Sequence, residues 1–282
     1  STALAETLAT TNMDMTSLAL ALSSADKPLF VIGGGAAAAA TALREVVSAC
    51  GAACFETYAG RGIIAWDYPL NFGATLARPS SAQIMEQADC IVAIGTELAE
   101  VDLWRYHLGH DCPLYRIDID PECLADEHRA EVAIHARAEV SMTSLQQEIT
   151  PSYSSWQVSA VAQQRRAWRV ESEAERPGII AIVDALRESV PENTMIYSDM
   201  TQFSYVANEV WPMTRPKHWH HPSGFGTLGY ALPAAIGGAV ARPGQPTMAI
   251  AGDYGFQYSV QEMGTAVELA QALPIILWDN GK

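Results

Sequence analysis

Pro28-Leu29-Phe30-Val31-Ile32 is an unbroken apolar run, and Gly33-Gly34-Gly35 follows it directly. A strand with one wet face alternates apolar and polar residues, whereas a strand apolar throughout is covered on both faces. The same signature returns at 52–57, at Cys90–Ile94 before Gly95-Thr96, and at 114–117 before Asp118-Ile119-Asp120-Pro121. Helical stretches lie between these runs, one alanine-rich and reaching about Cys50, another at 80–88. Short buried strands alternating with helices predict a parallel sheet with helices on both faces.

The fold class expected is α/β, with two doubly wound parallel-sheet (Rossmann-like) domains. Residues 1–23 are small, polar and alanine-rich, and are read as a residual linker with a helical turn over 15–22. Residues 24–150 form the first domain. Residues 151–177 carry Pro151, several serines and a polar helical stretch at 156–174, read as a surface linker helix with Arg165, Arg166 and Arg169 on a solvated face. The second domain spans 178–282. It opens with an amphipathic helix at Ile179–Ser189 and a strand at 194–197 ending at Ser198-Asp199. A glycine-rich turn at 224–230 and a helix of small residues at 232–240 follow. A strand at 247–251 then leads to Gly252-Asp253, a helix covers 258–272, and a strand at 274–278 leads to Asp279-Asn280. The sequence stops two residues later, at a strand tip where the ligand site of such a sheet normally lies, so the second domain is expected to be truncated.

Composition removes some function classes. The 282 residues carry a net charge of −15, which disfavours nucleic acid and anionic membranes as partners. Local backbone N–H groups can still bind a phosphate inside an acidic protein. No apolar run approaches the ~20 residues that span a bilayer, and the N-terminus has no basic start, so a cytoplasmic location is expected. The five cysteines fit reduced thiols, having neither CxxC spacing nor a matching histidine set for zinc.

Two motifs carry chemistry. Gly33-Gly34-Gly35-Ala36-Ala37-Ala38 fits the G-x-G-x-x-A turn of a dinucleotide site, and Glu56 stands about where a ribose-binding acid would be. Tight helix–strand packing explains the same glycines. The second motif is Gly252-Asp253-Tyr254-Gly255, with Asn280 placed 27 residues after Asp253. A right-handed strand–helix–strand crossover would put both strand tips on one edge, so Asp253 and Asn280 can converge. One carboxylate and one amide oxygen, completed by a carbonyl, phosphate oxygens and water, suit Mg2+. The N–H groups of Gly255 and Phe256 would face a diphosphate. Taken singly, Asp253 also reads as a helix cap and Asn280 as a turn residue.

The stretch from Gly252 to Asn280 resembles the thiamine diphosphate motif, Gly-Asp-Gly followed about two dozen residues later by Asn-Asn. Upstream, Gly224-Phe225-Gly226-Thr227-Leu228-Gly229-Tyr230-Ala231-Leu232-Pro233 resembles the segment that precedes this motif in the acetolactate synthase/2-oxo acid decarboxylase group. In the first domain the residues from Pro28 to Ala36, and Ile117-Asp118-Ile119-Asp120-Pro121, resemble that family's central domain, with Gly60-Arg61-Gly62 a weaker match. The likeness runs over most of residues 24–282.

The resemblance implies thiamine diphosphate and Mg2+ as cofactors. Asp253 and Asn280 would hold the metal through side chains, and Lys282 through its carbonyl. Leu228 would prop the cofactor in a bent form, and the Gly226 carbonyl would accept from its 4′-amino group. Asp199, Thr201 and Gln202 would lie near the diphosphate-side loop. Tyr254 replaces the motif's last glycine and Asp279 its first asparagine; neither position supplies a metal side-chain ligand in the family. Family members also carry an N-terminal domain with an activating glutamate that residues 1–26 cannot supply. The sequence is therefore expected to be a fragment, inactive alone.

The function implied is decarboxylation of a small 2-oxo acid to an aldehyde, in a homodimer or homotetramer. The variant Gly-Asp-Tyr-Gly is similar to decarboxylases of the 5-guanidino-2-oxopentanoate kind. An acetolactate synthase-like carboligase is the close alternative. An NAD-dependent dehydrogenase using the Gly33 turn, or a non-catalytic nucleotide-binding module, are the others. Whether the central domain takes FAD or ADP stays open. His218, His220 and His221, just before the Gly226 turn, are candidates for lining the substrate pocket or for acid–base work, or are surface and packing residues.

Overall fold

The computed structural model describes residues 12–128 and 130–281. The chain divides into two compact units that part between Trp168 and Arg169.

In the first unit six strands lie in the order β3-β2-β1-β4-β5-β6. They are β1 (Pro28–Ile32), β2 (Ala53–Glu56), β3 (Asn71–Gly73), β4 (Cys90–Ile94), β5 (Leu114–Asp118) and β6 (Val132–His135). Every pairing is parallel, and Phe30 faces both Cys54 and Val92 across the central strands. Each residue of β1 and β4 is buried, as their unalternating composition requires. Phe30, Ile32, Val92 and Ile94 point into one core with Leu43, Val46, Met142 and Leu145. Leu29, Val31, Ile91 and Ala93 point into the other with Phe55, Met85, Leu103, Trp156 and Trp168. Burying each large apolar side chain contributes about 1.5–3 kcal/mol before chain entropy is subtracted.

Two segments expected outside this domain belong to its cores. The helix Asn12–Ser24 buries Met15, Leu18 and Leu22 in the first core, so residues 15–22 are not a loose linker. The helix Val158–Glu175 buries Val161 and Trp168 in the second core, and the Trp168 indole donates to Ser80 Oγ at 2.7 Å. The Arg165 guanidinium stacks on the Trp66 ring at 4.1 Å instead of facing only solvent. A polar majority hid a helix that needs few apolar residues to dock, because one of them is a tryptophan.

The second unit has four parallel strands in the order β10-β9-β7-β8. They are β7 (Met195–Ser198), β8 (Trp219–His220), β9 (Thr247–Gly252) and β10 (Ile275–Trp278). Met248 and Ile250 face the helices Ile179–Ser189 and Gln202–Val210 on one side. Ala249 and Ala251 face the helix Ala231–Ala241 on the other. Small residues on both partners let that helix approach closely. A β-carbon at Gly238 would lie 2.4 Å from the Tyr197 hydroxyl. The two-residue β8, set between Pro216 and Pro222, is too short to show as a period.

The single helix expected at 258–272 is two shorter ones, Asp253–Ser259 and Glu262–Glu268. The first starts directly at the tip of β9, with Gly252 as its extended N-cap. Asp and Gly have low interior helix propensity, which masked this start, although Asp is favoured in a first turn. Among the described residues no helix is long and apolar enough to cross a membrane.

Candidate active site

All four strands of the second unit point the same way, so their C-terminal tips share one edge. That edge carries Ser198-Asp199 after β7, His221 after β8, Gly252-Asp253 at β9 and Asp279-Asn280 after β10. Trp278 pairs with Gly252 in register, so Asp253 is one residue and Asn280 two residues past the last paired position of adjacent strands. Neighbouring strands run about 5 Å apart, so Asp253 and Asn280 stand at adjacent strand tips. Asp279 Oδ1 accepts from the Gly281 N–H at 2.8 Å, closing an Asx turn that redirects the chain after Asn280. Lys282 lies outside the described residues.

Gly255 sits within the first turn of the helix Asp253–Ser259, where N–H groups lack intrahelical acceptors. Phe256 is one residue further on, and helix geometry aims its N–H back at the Gly252 carbonyl. By helix geometry the first-turn N–H groups up to Gly255 have no intrahelical acceptor. Phe256 instead packs its half-buried ring against Ala231, Ala235 and Ala251.

Asp199, Thr201 and Gln202, expected near a diphosphate-side loop, directly follow β7. Thr201 is the N-cap of the helix Gln202–Val210: its Oγ1 accepts from the Ser204 N–H at 2.9 Å and donates to Ser204 Oγ at 3.0 Å. That hydroxyl is committed to the cap, while Gln202 is exposed on the first turn. Asp199 is 1% exposed. Its Oδ1 accepts from the Ala231 N–H at 2.8 Å and its Oδ2 from the Gly229 N–H at 3.1 Å. Burial pushes its carboxyl above the ordinary range, and the N–H groups of Ala231, Gly229 and Tyr230 oppose that rise. A β-carbon at Gly255 would stand 2.5 Å from Asp199 Oδ2, so only glycine fits there. Asp199 thus joins the two glycine motifs, Gly229 from the upstream segment and Gly255 from the downstream one. No sequence signal shows a strand-tip carboxylate turned inward.

Gly226 and Leu228 lie in an exposed turn. Gly226 has a positive φ of 69°, and its N–H donates to the Pro222 carbonyl at 2.7 Å. The three histidines do not converge. His218 Nδ1 lies 2.9 Å from the Pro216 carbonyl. His220 stacks on Tyr197 with ring centroids 4.9 Å apart, and burial lowers its pKa. His221 Nδ1 lies 2.9 Å from Ser198 Oγ, which also accepts the Trp219 indole N–H at 2.8 Å. Of the three, His221 alone stands just past the C-terminal end of a strand, on the shared edge. Among the described residues no group of three or more His, Cys, Asp or Glu side chains could hold a metal ion.

The glycine turn of the first unit is filled. Gly33 N–H donates to the Ile94 carbonyl at 2.9 Å and Gly35 N–H to the Gly95 carbonyl at 3.0 Å. A β-carbon at Gly33 would lie 2.0 Å from the Gly95 oxygen. Glu56 is buried, accepting from the Ile64 N–H at 3.0 Å and Asn71 Nδ2 at 3.3 Å. Its carboxylate faces the protein interior and not the position of a ribose, and close packing accounts for the glycines.

The family model for the thiamine pyrophosphate enzyme, central domain, matches residues 15–145. The model for the thiamine pyrophosphate enzyme, C-terminal TPP binding domain, matches residues 199–282. A probable 2-ketoarginine decarboxylase of Pseudomonas aeruginosa is 36% identical over 92% of this chain and 47% of its own length. The acetolactate synthase isozyme 2 large subunit of Escherichia coli is 29% identical over 92% of this chain and 48% of its own. Pyruvate oxidase of Lactiplantibacillus plantarum is 28% identical over 93% of this chain and 44% of its own. The chain spans about half the length of these curated relatives. With both family models matching in order along the chain, the protein belongs to the thiamine pyrophosphate enzyme family.

Proposed function

We propose that the whole protein decarboxylates a small 2-oxo acid to an aldehyde with thiamine diphosphate and Mg2+. The observation that carries this is the register of β9 and β10, which sets Asp253 and Asn280 side by side at one sheet edge in a chain of this family. The donor set fits the metal: a carboxylate and an amide oxygen are hard ligands, and diphosphate oxygens and water complete six-coordination. The N–H groups of Tyr254 and Gly255 face the same edge and suit the diphosphate. When bound, thiamine diphosphate supplies the electron sink for the pair left behind as carbon dioxide departs.

The remaining roles belong to this chain's own residues. Leu228, on the exposed turn, would support the bound cofactor, and the Gly226 carbonyl would accept from its amino group. Lys282 completes the metal set through its carbonyl. The active protein is a homodimer or homotetramer. The decarboxylase reading is favoured by the higher identity to the 2-ketoarginine decarboxylase, 36% against 29% for the acetolactate synthase. The second reading, carboligation, draws on those acetolactate synthases.

Titration calorimetry on the full-length protein tests the site. Thiamine diphosphate is expected to bind with Mg2+ and to bind far more weakly in EDTA. Asp253→Ala and Asn280→Ala are each expected to lower affinity at fixed Mg2+ by roughly 100-fold or more. Unchanged affinity in both variants would remove the metal assignment. Aldehyde release from 2-oxo acids separates the lyase from a ligase that yields a hydroxyketone.

A further inference from the structure

We propose that Asp199 is a positioning residue for this site: its buried carboxylate clamps the 224–230 turn onto the first turn of the helix Asp253–Ser259. The inference rests on the thiamine diphosphate reading for its consequence, but its geometry stands independently. Asp199 follows the end of β7, where a carboxylate would ordinarily face the ligand. Here it faces inward, and an outward carboxylate would repel a diphosphate.

Three elements meet on this one residue. Its backbone N–H donates to the Ile250 carbonyl at 2.8 Å, fixing it to β9. Its two oxygens take the N–H groups of Gly229 and Ala231, at the far end of the turn that carries Gly226 and Leu228. Gly255 closes the third side, where a β-carbon would lie 2.5 Å from Oδ2. Gly229 has φ of 78°, and a β-carbon on it would meet Tyr258 Cβ at 2.9 Å, so the turn itself is seated against the helix. The near end of the turn is held by Ser223 N–H on the His221 carbonyl at 2.9 Å and by Gly226 N–H on Pro222. Residues 224–228 between these anchors are exposed. Where Leu228 stands relative to Asp253 therefore follows from the Asp199 clamp.

An amide cannot replace this carboxylate. Asn at 199 keeps one acceptor and turns a donor toward the other N–H, which loses that bond and leaves two donors opposed. The test uses the full-length protein and Asp199→Asn. Amide hydrogen exchange without cofactor is expected to show protection falling about tenfold or more at Gly229 and Ala231, with Ile196 and Ile250 unchanged. Thiamine diphosphate with Mg2+, followed by tryptophan fluorescence, is expected to bind within about fivefold of wild type, because the Asp253–Asn280 anchor is intact. The exchange of the bound cofactor's C2 proton, read by quenched NMR, is expected to slow roughly 10- to 100-fold.

Gly229→Ala attacks the same contact from the turn side and is expected to reproduce the slow C2 exchange, with the double variant no worse than either single one. Wild-type protection at Gly229 and Ala231 in Asp199→Asn, or wild-type C2 exchange, overturns the proposal. So does loss of protection throughout β7 and β9, which would make Asp199 a general core residue. If the wild-type protein binds no thiamine diphosphate, the functional reading fails while the amide protection still decides the clamp.

Discussion

Glu56 ends β2 with its side chain buried, and that burial should appear as a pH-dependent stability. Desolvation raises its carboxyl from 4.5 to about 7, more than the opposing effects of the Ile64 N–H, Asn71 and the nearby Arg61 lower it. The folded protein therefore holds this proton more tightly than the unfolded chain does. The stabilisation is fully present below the unfolded value of 4.5 and is lost as pH rises through about 7. A displacement from 4.5 to about 7 corresponds to about 3 kcal/mol, of which about 2–3 kcal/mol is lost between pH 5 and pH 8. Asp102, pushed by burial to about 6, and the growing negative charge act in the same direction. Comparison of wild type with Glu56→Gln cancels those shared terms.

The glutamine keeps an acceptor for the Ile64 N–H but presents a donor to Asn71 Nδ2. Asn71 cannot flip, because its Oδ1 holds the Gly73 N–H at 2.7 Å. The variant should thus be less stable than wild type by about 1–2 kcal/mol at pH 5. It should equal or exceed wild type at pH 8. Urea unfolding followed by the fluorescence of Trp156 and Trp168, buried in the same unit, gives the four free energies needed. Parallel pH profiles for the two proteins would refute the assignment of this proton to Glu56. A direct carboxyl titration below about pH 5.5 would do the same.

Two further outcomes follow from packing. Trp168→Ala removes a ring 5.9 Å from Phe72 and strands Ser80, and should lower stability by about 3–5 kcal/mol in a thermal or urea melt; a loss under ~1 kcal/mol would return this helix to the surface-linker reading. Gly33→Ala drives a β-carbon to 2.0 Å from the Gly95 carbonyl, a backbone atom that cannot swing away. It should destabilise the first unit by about 3 kcal/mol or more, and a wild-type melt would show that this turn has the spare room a phosphate needs.

Much of the fold was legible because parallel strands buried on both faces announce themselves. Residues 28–32, 90–94 and 247–251 have no polar alternation, and only helices on both sides of a sheet can satisfy that. The crossover rule puts Asp253 and Asn280 on one edge from the order of the elements alone. Elements shorter than their own period, such as Trp219–His220, left no such trace. The docking of the helices Asn12–Ser24 and Val158–Glu175 was likewise hidden, since small and polar residues are interspersed among the few large apolar ones that dock.

What tertiary structure alone decided was direction. The sequence by itself determined that a carboxylate follows each of the strand ends at Ser198 and Gly252, and it named both as neighbours of a ligand. Distances show that Asp199 turns inward onto Gly229, Ala231 and Gly255, and that Glu56 turns inward onto Ile64 and Asn71. The physical reason is that a side chain's heading depends on which backbone N–H groups other segments bring to it, some of them tens of residues away. Residue type fixes the charge, but the fold fixes what that charge faces.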